Sequence, residues 1–234
     1  MHNYKFETHL HTSEVSACAR DSGADMVRAC KEAGYTGVVV TDHFFTGNNV
    51  LRRNGDSDSY SWKEKVRLLM RGYENAKREG DNIGVDVYFG FEYTYPQSGS
   101  DFLIYNFGED KILEYPEIMT DSFEKISQRV RKEGAFIIHA HPFRQAAYIA
   151  QPGRVFPDCT DAVEILNTGI GQPEANIIAE GYADKYNFCK TGGSDAHWTG
   201  GIKSGAAFKR KPVSLEDMIN MLRRGEHIVL GDNV

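Results

Sequence analysis

The chain is poor in paired cysteine. Its four cysteines, Cys18, Cys30, Cys159 and Cys189, form no CxxC unit. That argues against a thiolate metal ribbon or a thioredoxin-like redox pair, and the four read as free thiols of a reducing compartment. Long hydrophobic runs are missing as well. No uninterrupted apolar stretch approaches membrane-spanning length, and the opening MHNYKFETHL has no apolar signal core. A cytoplasmic protein with no membrane partner is expected. Positive charge is scarce: 27 Lys and Arg face 33 Asp and Glu, for a net charge of -6. Such a balance argues against nucleic acid as a partner. The most basic short stretch, Lys209-Arg210-Lys211, reads as solvated surface. Internal repeats, low-complexity tracts and composition breaks are absent too, so residues 1–234 are expected to form a single domain. The sequence carries no signal for an oligomeric state.

Apolar runs alternate with helical patterns along the chain. Besides the run that opens it, GVVVT (37–41), VDVYFGFEY (85–93), FLIYNF (102–107), AFIIHAH (135–141), DAVEIL (161–166) and CKTGGSD (189–195) read as strands or strand ends. Between them, 23–34, 60–80, 121–134 and 173–187 carry period-3.6 apolar spacing, the first three stopping on glycine. A last helix over 214–225 opens with a Ser-x-x-Asp cap signal. Repeated strand-then-helix units predict an α/β fold with a mostly parallel sheet, open or closed into a barrel. The irregular stretches 44–59 and 142–160 stand out as long loops of the kind that carry function.

The strand ends hold the chemistry. His9 and His11 stand two apart in FETHLHTS, so an extended strand turns both imidazoles to one face. Asp42 and His43 follow the second strand, Glu92 the third, His139 and His141 a later one, and Asp195 and His197 the last. In α/β folds, ligands and catalysis gather at the carboxyl ends of strands. Each element alone has a plainer reading: HxH as a satisfied pair, Asp42 as a loop cap, Glu92 as an exposed carboxylate, HAHP as a turn, Asp195 as a helix N-cap. Together, converging imidazoles and carboxylates suit Zn²⁺, Mn²⁺ or Fe²⁺, and a bridging carboxylate suits a multinuclear cluster.

HxH, then TDH, then Gly-x-Glu, then a His-Pro and a final SDAH, in order from residue 6 to about 200, resemble the PHP (polymerase and histidinol phosphatase) family. The resemblance implies a distorted seven-stranded β/α barrel, two or three divalent ions (Zn, Mn or Fe) at its carboxyl rim, and hydrolysis of phosphate esters. It implies that His9 and His11 hold one ion, that Glu92 bridges to a second bound by His141, that Asp195 completes the site, and that His43 and His197 hold a third. Asp42 would orient a histidine from behind, and His139 matches no ligand of the pattern. Two positions depart from it. Where the family often places an Asp or His after HxH, TSEVSAC offers Glu14; where many members have a histidine before an apolar pair, SDFLIY offers Asp101. Arg144, just past the His-Pro, is the candidate phosphate clamp, with Arg20 a weaker one. The expected activity is hydrolysis of a small phosphorylated substrate such as histidinol phosphate or a nucleotide, with Asp195, His197 and Glu92 as catalytic groups. The rivals are a metal-dependent amidohydrolase, whose usual strand-end bridging lysine has no match here, and a non-enzymatic metal-binding domain.

Overall fold

The computed structural model describes residues 2–231; Met1 and 232–234, the ends of the expected domain, lie outside the described residues. Along the chain run β1 (Tyr4–Leu10), α1 (Gly23–Glu32), β2 (Gly37–Val40), α2 (Val50–Arg53), α3 (Trp62–Ile83), β3 (Asp86–Tyr95), β4 (Ser100–Tyr105), α4 (Glu109–Leu113) and α5 (Phe123–Lys132). There follow β5 (Phe136–Ala140), β6 (Ala162–Asn167), α6 (Pro173–Tyr186), β7 (Cys189–Gly193), β8 (Gly205–Phe208), α7 (Leu215–Arg223) and β9 (His227–Leu230). Local chemistry sets the helix ends. Ser61 and Glu64 form a reciprocal capping box on α3, and Ser214 caps α7 by accepting from the Asp217 N–H. Helix α3 does not stop at Gly80 as its pattern predicts; it runs on to a left-handed Gly84 with φ 77°.

Among the described residues, nine strands form one sheet in the order β7-β6-β5-β4-β3-β2-β1-β8-β9. This corrects the expected seven. Strands β8 and β9 are four residues each and show no legible periodicity; they are added antiparallel at the outer edge of β1. Strand β4 runs antiparallel to both neighbours, which breaks the strand-helix alternation in the middle of the sheet. The sheet nearly closes on itself. The first half of β1 pairs with β8, while its end is bridged in parallel to Ala196 beyond β7. The His11 N–H donates to the Ala196 carbonyl at 2.9 Å, and the Ala196 N–H donates to His9 O at 3.2 Å.

One apolar cluster draws Phe6, Val39, Leu103, Ile138 and Phe208 from strands around the sheet, with Met218 and Leu222 of α7 packed into it. Each such side chain contributes roughly 1.5–3 kcal/mol by leaving water. The apolar layer ends where β1 turns from Phe6 to Glu7, His9 and His11, all fully buried. The polar site therefore sits on a packed floor at the carboxyl ends of the parallel strands.

Candidate metal centre

Strand alternation puts Glu7, His9 and His11 on one face of β1. Glu7 is the anchor. Its Oε1 accepts from the N–H groups of Thr8 and His9, both at 2.9 Å, and of Ser194 at 3.0 Å. Burial lifts its carboxyl to about 7 in spite of these bonds. It ties the histidine strand to the segment that carries Asp195.

Two carboxylates stand among five imidazoles. Glu92 places Oε1 3.1 Å from His141 Nε2 and 3.5 Å from His9 Nε2, and Oε2 2.7 Å from His43 Nδ1 and 3.6 Å from His11 Nε2. Asp195 Oδ1 lies 3.2 Å from His11 Nε2, 3.5 Å from His9 Nε2 and 3.6 Å from His197 Nδ1. Burial opposes ionisation of both acids, but the surrounding imidazoles outweigh it and hold both well below the usual carboxylate range. Burial likewise opposes a charge on His9; Glu164 and Asp195 together overcome it and raise that histidine well above its usual value. His11, buried beside His197 and His43, is pushed well below.

Among the described residues, three sets of donor atoms gather within 4.8 Å: His9, His11 and Asp195; His9, Glu92 and His141; and His11, His43 and His197. The donors fit cations. His9 Nε2, His11 Nε2 and Glu92 Oε2 are buried with no hydrogen bond of acceptable geometry. An unmade bond of this kind costs about 1–3 kcal/mol per group, and lone pairs converging on one volume are what a divalent ion requires.

The imidazoles are oriented from behind. Glu164 Oε1 lies 3.0 Å from His9 Nδ1, and its Oε2 accepts the His141 N–H at 3.0 Å. Ser16 Oγ lies 3.1 Å from His11 Nδ1 and donates to Asp42 Oδ1 at 2.7 Å, while Asp42 also accepts from the Thr12 N–H at 2.6 Å. Both arrangements occupy Nδ1 and leave Nε2 facing the centre, the usual way a ligand histidine is set. Burial raises Asp42 to about 6 against those bonds. Close packing supports the arrangement: a Cβ at Gly193 would collide with Glu164 and His9, and one at Gly72 with Thr12 and Asp42. The backbone is bent at two site positions, His141 with φ 29° and Asp195 with φ 51°. Non-glycine residues in that region cluster at functional sites, where the surroundings hold the strain. Asp195 caps no helix; the next helical turn, Thr199–Gly201, begins after Trp198.

The structure thus brings together His9, His11, His43, Glu92, His141, Asp195 and His197. It does not bring in Glu14, whose carboxylate accepts from the Gly23 N–H at the start of α1 and from Asn75 Nδ2. Asp101 sits beside the cluster but in none of the three sets; burial and the neighbouring Glu92 lift it to about 6. His139 is turned away by the bend at His141. It stacks on Phe102 at 4.7 Å, and burial lowers it to about 3. Arg144 reaches Asp195 Oδ2 at 3.9 Å and lies over the Tyr148 ring, whereas Arg20 lies over Trp198 on the rim. Sequence reasoning passed over Glu7, Glu164 and Cys18. Glu7 shares the period-two face of the histidines, and Glu164 is a charge inside an apolar strand, so both left a trace. Cys18, with Sγ 3.2 Å from His43 Nε2, left none.

Residues 173–227 match the family model described as PHP-associated. Over 97% of its length the chain superimposes on 64% of a two-domain protein from Bacteroides vulgatus described as containing a predicted PHP-like metal-dependent phosphoesterase, with TM-score 0.69 and 15% identity. The chain thus resembles the PHP proteins in its carboxyl-terminal segment and shares the fold of a PHP-like protein. The matched family segment takes in Asp195 and His197 of the cluster but lies beyond His9, His11, His43, Glu92 and His141. A lesion-specific endonuclease from Pyrococcus furiosus shares the fold at TM-score 0.60 and 12% identity, over 97% of this chain and 57% of that one. An uncharacterised protein of Methanocaldococcus jannaschii is 34% identical over 116 residues, which cover 44% of this chain and 48% of the relative. The chain therefore matches about half the length of that relative. Among the described residues, no helix is long and apolar enough to cross a membrane.

Proposed function

We propose that the protein is a metal-dependent phosphoesterase acting on a small phosphate ester. The observation that carries this reading is the gathering of His9, His11, Glu92, His141 and Asp195 around buried, unpaired donor atoms. Divalent ions held there supply the charge that draws phosphoryl oxygens and makes water a nucleophile near neutral pH. The chain's own part is positioning. Glu92, between two donor sets, holds their spacing; Asp195, beside Arg144, or a neighbouring histidine would take the water's proton. Arg144, whose guanidinium reaches the edge of the cluster, clamps a phosphoryl oxygen, and Arg20 borders the same rim.

A cleft of about 540 Å³ lies beside the cluster, walled by Thr46, Asn49, Arg52, Thr94 and Tyr148. Gly47 brings its wall against His43. The 44–59 and 142–160 loops both contribute, so the leaving group is selected there. The volume suits a ligand of nucleotide size. Because a lesion-specific endonuclease shares the fold, oligonucleotides belong in the same screen as small esters. The test is hydrolysis of p-nitrophenyl phosphate, nucleotides, histidinol phosphate and a damaged duplex, with Mn²⁺ or Zn²⁺ and with chelator. Turnover of a monoester that chelator abolishes is the expected result. Metal binding without turnover of any ester would make this a binding domain, and cleavage of the duplex alone would replace the small-ester reading.

A further inference from the structure

The segment after HxH was expected to supply Glu14 to the third donor set, and Glu14 is committed to the start of α1. Beside that set, though not one of its three members, lies Cys18. Its Sγ lies 3.2 Å from His43 Nε2 and within hydrogen-bonding reach of His197. Those two imidazoles belong to the set completed by His11, whose Nε2 is fully buried and unpaired. The rings of His43 and His197 each stand 4.3 Å from that of His11. The Ala17 N–H donates to Asn48 O at 2.8 Å and the Arg20 N–H to His197 O at 2.8 Å, so the backbone on both sides of Cys18 is pinned to the site.

We propose that Cys18 is a thiolate ligand of the third position, with His43, His197 and His11, and that this position selects a thiophilic ion, Zn²⁺ over Mn²⁺. The inference rests on the metal-centre reading above. Tetrahedral zinc with Zn–S of about 2.3 Å and Zn–N of about 2.05 Å separates a sulfur from a nitrogen by roughly 3.5 Å. The observed separation of Sγ and Nε2, 3.2 Å, is within a few tenths of an ångström of that. A thiolate is a soft donor, whereas manganese prefers oxygen, so exchanging the carboxylate expected here for sulfur changes which ion is held. Because Cys18 is exposed and His43 and His197 are partly exposed, this end of the cluster opens to solvent. The two inner sets each keep one carboxylate, Glu92 or Asp195, beside two imidazoles.

Cobalt reports the thiolate directly. Co²⁺ is added to the metal-free chain, to Cys18→Ser and Cys18→Ala, and to Cys189→Ser, a partly exposed cysteine that donates to Leu222 O far from the site. The parent and Cys189→Ser should show the near-ultraviolet thiolate-to-cobalt band, and both Cys18 variants should lack it. Elemental analysis after dialysis against excess Mn²⁺ should find zinc retained by the parent and one fewer zinc ion per chain in the Cys18 variants. An intact circular dichroism spectrum shows that the variants fold. A band surviving in Cys18→Ser, or equal zinc in both proteins, overturns the assignment while leaving the phosphoesterase reading in place. A parent that binds no cobalt at all overturns both.

Discussion

Replacing Glu92 by Gln isolates the charge between two donor sets from the shape of the side chain. Glu92 is 1% exposed, and its two oxygens lie 2.7–3.6 Å from four imidazoles. At such separations a pair of unit charges interacts by about 5 kcal/mol even at an effective dielectric constant of 20, and part of that is offset by the desolvation already incurred. Removing one preorganised electrostatic group from an active site typically costs 10²- to 10³-fold in turnover, roughly 2.7–4 kcal/mol. Glu92→Gln is therefore expected to lose at least one ion per chain and to fall about 10²-fold or more in kcat/KM. Elemental analysis gives the first quantity and metal-saturated hydrolysis of p-nitrophenyl phosphate the second. A circular dichroism spectrum like the parent's assigns the loss to the site. Unchanged metal content together with unchanged kcat/KM would remove Glu92 from the centre.

Asp195→Asn and His197→Ala should each abolish most activity with the fold retained, since Asn tolerates the φ of 51° at position 195; unfolded variants would instead mark the SDAH segment as structural. Arg144→Ala should lower kcat/KM by roughly ten- to a hundredfold at full metal occupancy, the worth of one charged hydrogen bond of about 1.5–3 kcal/mol. Arg144→Lys, which keeps the charge without the planar fork, should fall less, and parent-like kinetics for the alanine variant would make Arg144 a surface residue. Gly72→Ala forces a methyl group into Thr12 and Asp42, so it should cost about 1–3 kcal/mol in denaturant unfolding and weaken metal binding through His11; a variant as stable as the parent would contradict the packing described for α3. Saturating metal at a hundred times Kd stabilises by about 2.7 kcal/mol, which for a chain of this size raises Tm by roughly 5–11 °C. A melting curve indifferent to Zn²⁺, Mn²⁺ and chelator would mean that the unpaired donors hold nothing.

Period-two alternation and strand-then-helix order are local properties, and they are why much of this site can be read before folding. His9 and His11 share a face because side chains two apart in a strand must, and the carboxyl-end rule gathers Glu92, His141 and Asp195 near them. What sequence spacing cannot carry is contact across the sheet. Glu164 sets His9 from 155 residues away, and Asp42 reaches His11 only through Ser16. The near-closure at Leu10 and Ala196 depends on the twist accumulated over all the strands between them. The antiparallel direction of β4 and the short strands β8 and β9 are set by their neighbours rather than by their own patterns. The proposed exchange of Glu14 for Cys18 beside the third donor set has the same origin. By residue type the carboxylate was the better ligand, but the orphan N–H at the start of α1 claimed it, and the turn that follows swung a thiol into its place. Residue type and spacing determined which strand ends carry donors; packing in three dimensions decided which donors meet.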